Sequence, residues 1–214
     1  MELPRASAKT CPTFYTPDRV QAGCRNVRRY PWAKAVLRRI MDGEPHRYIV
    51  GRSYVSARDY SQQSDDFMWT LQPTTRIPRI YPHEAVAICP VHGLAVREKN
   101  GYHPWFVDPI GHPYRVQCML GGEWYPSNDY LAGDLTSGEF PDDGDGCEYK
   151  GRRYYFLREY AHQAYCAVTI PALRSLSHAY LLTGDRAFAR KGAVLLARLE
   201  IGRASCRERV YVLV

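Results

Sequence analysis

The strongest constraint on the fold is a run of apolar residues at helical spacing over residues 154–199. Apolar side chains recur there every three or four positions, which places them on one face of a helix. Gly184 predicts the end of one helix, Asp185 predicts the N-cap of the next, and Pro171 is expected to bend the first helix. The segment therefore predicts two helices packed as a hairpin. The residues at this spacing are Leu157, Ala161, Ala164, Val168, Leu173, Leu176, Tyr180, Phe188, Gly192, Leu195 and Leu199.

Two further helices are predicted near the N-terminus. Thr16 is a favourable N-cap and Pro17 suits the first helical position. Pro31 should break or kink this first helix, because a proline inside a helix removes a hydrogen bond and clashes with the preceding turn. A second helix is therefore expected over Pro31–Asp42, with Gly43 at its C-terminus. The side chains expected to point inward from it are Trp32, Val36 and Ile40.

The middle of the chain follows a different pattern. Residues 73–151 are rich in Pro, Gly, Asp and aromatic side chains, which predicts loops and one or two small β-hairpins. A short helix is expected just before them, over residues 64–71, with Ser64 as its N-cap. The predicted fold class is mainly α, built from helical hairpins around a Pro/Gly-rich insertion with small β-hairpins.

Composition narrows the class of protein. The formal net charge of +7 suits a polyanionic partner, either an acidic polysaccharide or a nucleic acid, and it also suits simple solubility. The chain has 17 Tyr against 6 Phe, and tyrosine offers an apolar face with a polar tip. That excess fits sugar-binding clefts as well as core packing close to the surface.

The cysteines and the N-terminus bear on the compartment. Seven cysteines at irregular spacing do not form a disulfide framework. No apolar run has the length of a membrane span, so no membrane partner is expected. The residues after Met1 do not form a signal peptide. We expect a cytoplasmic protein if Met1 is the true start, and a periplasmic or secreted one if a signal peptide precedes it.

A zinc site is one interpretation of the Cys89-Pro-Val-His92 and Cys118 motifs. A structural zinc site needs four ligands in a tetrahedral array. Gly121 occupies the position that a fourth cysteine would take in a Cys-x-x-Cys spacing. The fourth ligand would then come from a nearby histidine, either His103 or His112. A metal-free packed turn is the alternative interpretation.

Four stretches together resemble the N-terminal part of the heparinase II/III-like polysaccharide lyases, a family related to alginate lyases. They are "RRYPWAKAVLRRI", "ICPVHG", "GYHPWFVDPIGHPYRVQCMLGGEWYPSND" and the predicted helical hairpin over 154–199. They occur in the order of the family and cover roughly residues 13–200. The resemblance implies a partial α/α toroid over 13–200, with residues 73–151 as an insertion, followed in the family by β-sandwich sheets.

The resemblance also implies a reaction, the β-elimination of polysaccharides that contain uronic acid. Such a site removes the C5 proton next to the carboxylate and expels the 4-O-linked sugar, so it needs a group that stabilises the enolate and a proton-transfer group. In the family these groups lie on later helices, beyond the position of Glu200. No residue of this chain is therefore assigned a catalytic role, and the chain by itself is expected to be inactive.

The same resemblance suggests substrate-binding residues. Trp124 and Tyr125 offer rings for stacking on sugars, and Asn128 offers hydrogen bonds to hydroxyls. The alternative for Asn128 is that it caps a following turn. His162 and Tyr165 are further candidates for lining the cleft, because the family often has an Asn-His or similar pair on the corresponding helix. The alternative for His162 is a structural histidine whose hydrogen bonds are satisfied between helices.

Residues 201–214 have no apolar periodicity, and "EIGRASCRERVY" resembles the translation of a sequencing-library adapter. The amphipathic pattern thus stops at Glu200, and we expect residues 201–214 to be an artefactual tail.

Two other functions stay open from sequence. One is a non-catalytic helical protein that binds carbohydrate through tyrosines. The other is a zinc-stabilised, basic module that binds nucleic acid; the leading hypothesis has an acidic polysaccharide as partner and no nucleic acid.

Overall fold

The computed structural model describes residues 14–44, 55–71, 88–101 and 105–211. This part of the chain is mainly α-helical, with five short antiparallel strands. The prediction of a mainly α fold with small β-hairpins is thus confirmed. Residues 73–87 of the predicted insertion, residue 13 and His103 lie outside the described residues. No helix in the described ranges is both long and apolar enough to cross a bilayer.

The two N-terminal helices occur where the prolines predict them. Helix α1 spans Pro17–Arg29 and helix α2 spans Pro31–Asp42, so a single extended residue, Tyr30, joins them. Thr16 has the backbone conformation of an N-cap, although its side chain makes no capping hydrogen bond. Gly43 ends α2 with a φ of 76°, a conformation that glycine adopts without the steric penalty of a Cβ.

The expected inward face of α2 is partly wrong. Ile40 is buried and Val36 packs against the core, as predicted. The side chain of Trp32, however, is 62% exposed, and Ala33 is buried beside it. Because Trp32 lies in the first turn of α2, the short link through Tyr30 decides which side of that turn faces the core. Trp32 stacks instead on Tyr30, with ring centroids 6.2 Å apart.

Two short helices follow. Helix α3 spans Ala57–Gln62 and helix α4 spans Asp65–Thr70. The predicted cap is confirmed, because Ser64 Oγ accepts a hydrogen bond of 3.0 Å from the backbone N–H of Phe67. The carboxylate of Asp65 pairs with Arg190 at 2.5 Å and with Lys191, which fastens α4 to a later helix. Hydrogen bonds from these two cations lower the pKa of Asp65.

The C-terminal end of α4 is held by donors from distant parts of the chain. The backbone carbonyls of Trp69, Thr70 and Leu71 accept hydrogen bonds from the side chains of Arg198, Tyr114 and Tyr160, respectively. The last carbonyls of a helix have no partner within it, so these contacts complete its hydrogen bonding.

The long apolar segment forms helix α6 over Phe156–Gln163, a π-helical turn over Ala164–Thr169, and helix α7 over Ile170–Thr183. The predicted face is buried at Leu157, Ala161, Ala164 and Val168. The α-helical pattern is interrupted directly before Pro171. The wider π turn accommodates a residue that has no N–H to donate and whose ring crowds the preceding turn.

The predicted hairpin is present. Gly184 takes a left-handed conformation and donates its N–H to the carbonyl of Tyr180, which ends α7. Asp185 Oδ1 accepts a hydrogen bond from Ala187 N, and helix α8 then spans Arg186–Tyr211. Helices α7 and α8 pack against each other, and α7 also packs against α1 and α2.

Helix α8 continues past Glu200 to Tyr211, through residues that lack apolar periodicity. Apolar periodicity governs how a helix packs, whereas its backbone continues wherever propensities allow. Residues 201–211 contain no proline, and the single Gly202 costs only about 1 kcal/mol relative to alanine.

The insertion contains two small antiparallel sheets. Strands β1 (Trp105–Phe106), β2 (Val116–Cys118) and β3 (Trp124–Tyr125) form one in the order β1-β2-β3. Strands β4 (Cys147–Tyr149) and β5 (Arg152–Tyr154) form the other, which extends past the expected boundary at 151. A short helix, α5, spans Ala95–Asn100 and was not predicted. The inner face of the first sheet packs on α6, where Tyr125 stacks on Phe156 with centroids 4.8 Å apart.

Candidate metal centre and sugar-binding surfaces

A tight turn brings the first two candidate ligands together. The N–H of Gly93 donates a hydrogen bond of 2.8 Å to the carbonyl of Cys89, so the chain reverses between them. Gly93 has a φ of 58°, which favours glycine at this position. The turn directs the side chains of Cys89 and His92 to the same side, with Sγ 3.4 Å from Nδ1.

The β2–β3 hairpin supplies the other two groups. Cys118 ends β2, and its N–H donates a hydrogen bond of 2.8 Å to the carbonyl of Glu123 across the hairpin. Cys118 Sγ lies 3.6 Å from His92 Nδ1, and Glu123 Oε2 lies 3.7 Å from the same nitrogen. The ligand atoms of all four residues lie within 4.8 Å of one another.

The two cysteines are buried, while His92 and Glu123 lie at the edge of the cluster. The side chains of Cys89 and Cys118 are almost fully covered, whereas those of His92 and Glu123 remain 26% and 40% exposed. Burial raises the pKa of the Cys118 thiol, and the backbone N–H groups of Gly121 and Leu120 partly offset that effect. A positive charge nearby would favour loss of the Cys118 proton.

Of the two histidines considered as a fourth ligand, His103 lies outside the described residues and His112 lies away from the cysteines. The ring of His112 stacks on Trp124, with centroids 3.9 Å apart, and its Nδ1 faces Asp108 at 3.6 Å. The ring of His112 is thus packed away from the cysteines, and among the described residues the carboxylate of Glu123 is the fourth group in the cluster. Glu123 was not predicted from the sequence, because only Cys and His were considered as zinc ligands.

Trp124 is half-buried on the outer face of the sheet. His112 covers one face of its indole, and Phe106 approaches it edge-on with centroids 6.3 Å apart. A sugar would have to stack on the remaining face, so the role of Trp124 in binding stays a prediction.

Tyr125 and Asn128 occupy the core instead of a sugar-binding surface. The ring of Tyr125 lies against Phe156, and its hydroxyl contacts Cys89 Sγ at 3.5 Å. Burial raises the pKa of Tyr125. The amide of Asn128 bonds to the backbone of Asp134 and Asp142, which ties the loop together. The alternative interpretation, in which Asn128 stabilises a turn, matches this structure.

His162 and Tyr165 lie near the start of the π turn. His162 is half-buried on α6, and Tyr165 is 39% exposed within the turn itself. Sequence reasoning did not single out Glu159 on the same segment. Burial raises the pKa of the Glu159 carboxyl to about 8, so this side chain is largely protonated at neutral pH.

The surface of α1 and α2 was also not singled out as a site. Every arginine and lysine on these helices is exposed: Arg19, Arg25, Arg28, Arg29, Lys34, Arg38 and Arg39. The exposed rings of Tyr30 and Trp32 lie at the junction of the two helices, and the guanidinium of Arg29 sits 5.3 Å from the Tyr30 ring centroid. We call these cations and the two rings the basic aromatic surface.

No family model, no curated protein and no solved structure matches this chain. The resemblance to polysaccharide lyases therefore rests on the sequence motifs alone.

Proposed function

We propose that this chain is a helical domain that binds an acidic polysaccharide through the basic aromatic surface, as part of a lyase of the heparinase II/III-like type. The observation that carries the binding proposal is the combination of exposed cations with an exposed aromatic pair at the α1–α2 junction. The motifs quoted above support the lyase class.

The charge balance of the surface favours an anionic ligand. Residues 14–44 carry seven basic side chains against three acidic ones, Asp18, Asp42 and Glu44. Glu44 pairs with Arg39 and Asp42 pairs with Arg58. Within the described ranges, Arg25, Arg28, Lys34 and Arg38 have no carboxylate within ion-pairing distance, so their charge is available to a ligand.

The aromatic pair favours a sugar among possible anions. A uronate polymer presents carboxylates and the apolar faces of its rings along the same chain. Arginine binds carboxylates through paired hydrogen bonds, and exposed aromatic rings stack on apolar faces. Trp32, which is 62% exposed, gives a platform at the junction of the two helices that carry the cations.

The helical hairpin of α7 and α8 supports the proposed architecture. An α/α toroid repeats such hairpins, and α7 packs on α1 and α2 as well as on α8. We propose that these helices form one part of that ring. The reaction proposed for the lyase is β-elimination at a uronate, and no residue of this chain is assigned to it.

Binding to immobilised polymers tests the proposal. We expect the protein to bind heparin and alginate at low salt and to bind neutral dextran far less. Affinity should fall as salt rises, because the exposed charges become screened. The substitution Trp32→Ala should weaken binding to the uronate polymers about tenfold, equivalent to about 1.4 kcal/mol.

A matched variant and two competing polyanions make the test specific. Trp69→Ala removes another exposed tryptophan, on α4, and should leave the affinity unchanged. Dextran sulfate and duplex DNA carry charge without uronate rings. Equal binding to all polyanions with no effect of Trp32→Ala would refute sugar recognition, and tighter binding to DNA would favour the nucleic-acid alternative. Release of unsaturated uronate, followed by absorbance, tests the elimination itself.

A further inference from the structure

The geometry points to a zinc-binding site formed by Cys89, His92, Cys118 and Glu123, with the carboxylate of Glu123 as the fourth ligand. This site is separate from the basic aromatic surface and does not depend on the proposed function. Its role would be structural, because four protein ligands leave no open position for a substrate.

The distances between the side chains match the edges of a zinc tetrahedron. With Zn–S near 2.3 Å and Zn–N near 2.0–2.1 Å, a tetrahedral angle separates sulfur and nitrogen by about 3.6 Å. His92 Nδ1 lies 3.4 Å from Cys89 Sγ and 3.6 Å from Cys118 Sγ. The corresponding O···N edge is about 3.4 Å, and Glu123 Oε2 lies 3.7 Å from Nδ1.

Hydrogen bonds within the cluster cannot satisfy all of its polar groups. Three groups converge on the single Nδ1 of His92, but a ring nitrogen carries either one proton or one lone pair. It can therefore serve one of the three at a time. Glu123 Oε2 has almost no accessible surface and no hydrogen-bond partner in the described structure. A buried carboxylate oxygen without a partner is costly, and a cation at the centre would satisfy it together with both sulfurs.

The backbone at Gly121 explains why the fourth ligand is Glu123. A Cβ placed on Gly121 would lie 2.2 Å from His92 Cε1 and 2.3 Å from Glu123 Oε2. A side chain at position 121 would thus point directly into the cluster, into the space that the carboxylate of Glu123 fills. Only glycine leaves room for this carboxylate beside His92.

The ligand set selects zinc among common metals. Two thiolates and one imidazole are ligands that zinc prefers, while calcium and magnesium prefer oxygen. Binding releases the thiol protons, because the thiolate is the form that coordinates the metal. The ion would link the turn that contains Cys89 and His92 to the β2–β3 hairpin, in addition to the contact between Cys89 Sγ and the Tyr125 hydroxyl.

Metal content of the purified full chain tests the proposal. We expect about one zinc per chain by elemental mass spectrometry after dialysis against metal-free buffer. A cobalt-substituted sample should show the visible absorption of tetrahedral, thiolate-bound Co²⁺. A strong chelator should lower the melting temperature, since metal that binds only the folded state stabilises it.

Variants separate ligation from a general effect on folding. Cys118→Ser should lose the metal, whereas Cys147→Ser changes an equally buried cysteine outside the cluster and should keep it. Glu123→Gln preserves the shape of the side chain and should weaken Co²⁺ binding about tenfold or more while the circular dichroism spectrum stays unchanged.

Three results would overturn the proposal. The first is purified protein that neither contains zinc nor binds added Zn²⁺ or Co²⁺ with micromolar or better affinity. The second is loss of metal in Cys147→Ser equal to that in Cys118→Ser. The third is unchanged cobalt affinity and spectrum in Glu123→Gln, which would exclude the carboxylate as the fourth ligand.

Discussion

The buried carboxyl of Glu159 should make the stability of this protein depend on pH. Burial raises its pKa from the ordinary value of 4.5 to about 8 in the folded state. The folded state therefore holds this proton over a range of pH in which the unfolded chain has lost it. The stability contributed by the neutral carboxyl is complete below about pH 4.5 and is lost as pH rises through about 8.

The magnitude follows from the size of the pKa shift. One unit corresponds to about 1.4 kcal/mol, so the free energy of unfolding should fall by about 5 kcal/mol across this range. The substitution Glu159→Gln keeps the shape and removes the titration. The variant should match the wild type near pH 4 and exceed its stability by an increasing amount up to pH 8.

Urea unfolding followed by circular dichroism, at intervals between pH 4 and 9, measures this difference. Other groups that titrate contribute to both proteins and cancel. Glu139→Gln removes an exposed carboxyl and should follow the wild-type curve. Parallel curves for the wild type and Glu159→Gln over the whole range would refute the assignment of a buried, protonated Glu159.

Three further changes test the packing. Gly121→Ala should destabilise the fold by about 1–3 kcal/mol, because its Cβ would overlap His92 and Glu123. In the control Gly192→Ala, the new Cβ has its nearest neighbour at 3.8 Å, so this variant should be neutral or stabilising. Thermal unfolding of both variants measures the difference. Asp142→Ala should cost at least 1–3 kcal/mol in urea unfolding, because its carboxylate accepts backbone hydrogen bonds that would be left unpaired in the core. Ser64→Ala should cost about 1 kcal/mol by the same measurement, through loss of the cap of α4.

Local rules predicted the ends of helices well. Pro17, Pro31, Ser64, Gly184 and Asp185 act through their own backbone or through a neighbour within four residues. Such interactions are nearly independent of the rest of the fold. For this reason the hairpin of α7 and α8 and the two N-terminal helices could be located from the sequence.

The side of a helix that faces the core was less predictable. Trp32 fits the apolar stripe of α2 but lies outside, because the connection through Tyr30 turns the first helical turn away from the core. The continuation of α8 to Tyr211 was not predicted for a related reason: apolar periodicity indicates which face of a helix packs, and it does not determine where the backbone of the helix ends.

The residues of the candidate metal centre could likewise be predicted from the sequence only in part. The sequence by itself identified Cys89, His92 and Cys118, since two of these lie in one short motif and all three have the side chains of zinc ligands. Only the tertiary structure shows that Glu123 lies in the cluster, that His112 stacks on Trp124 and that Asn128 is buried. Local sequence determines where backbone turns and caps form, because their partners are adjacent in the chain. The meeting of a tight turn with a β-hairpin some 25 residues away depends on how the whole core packs.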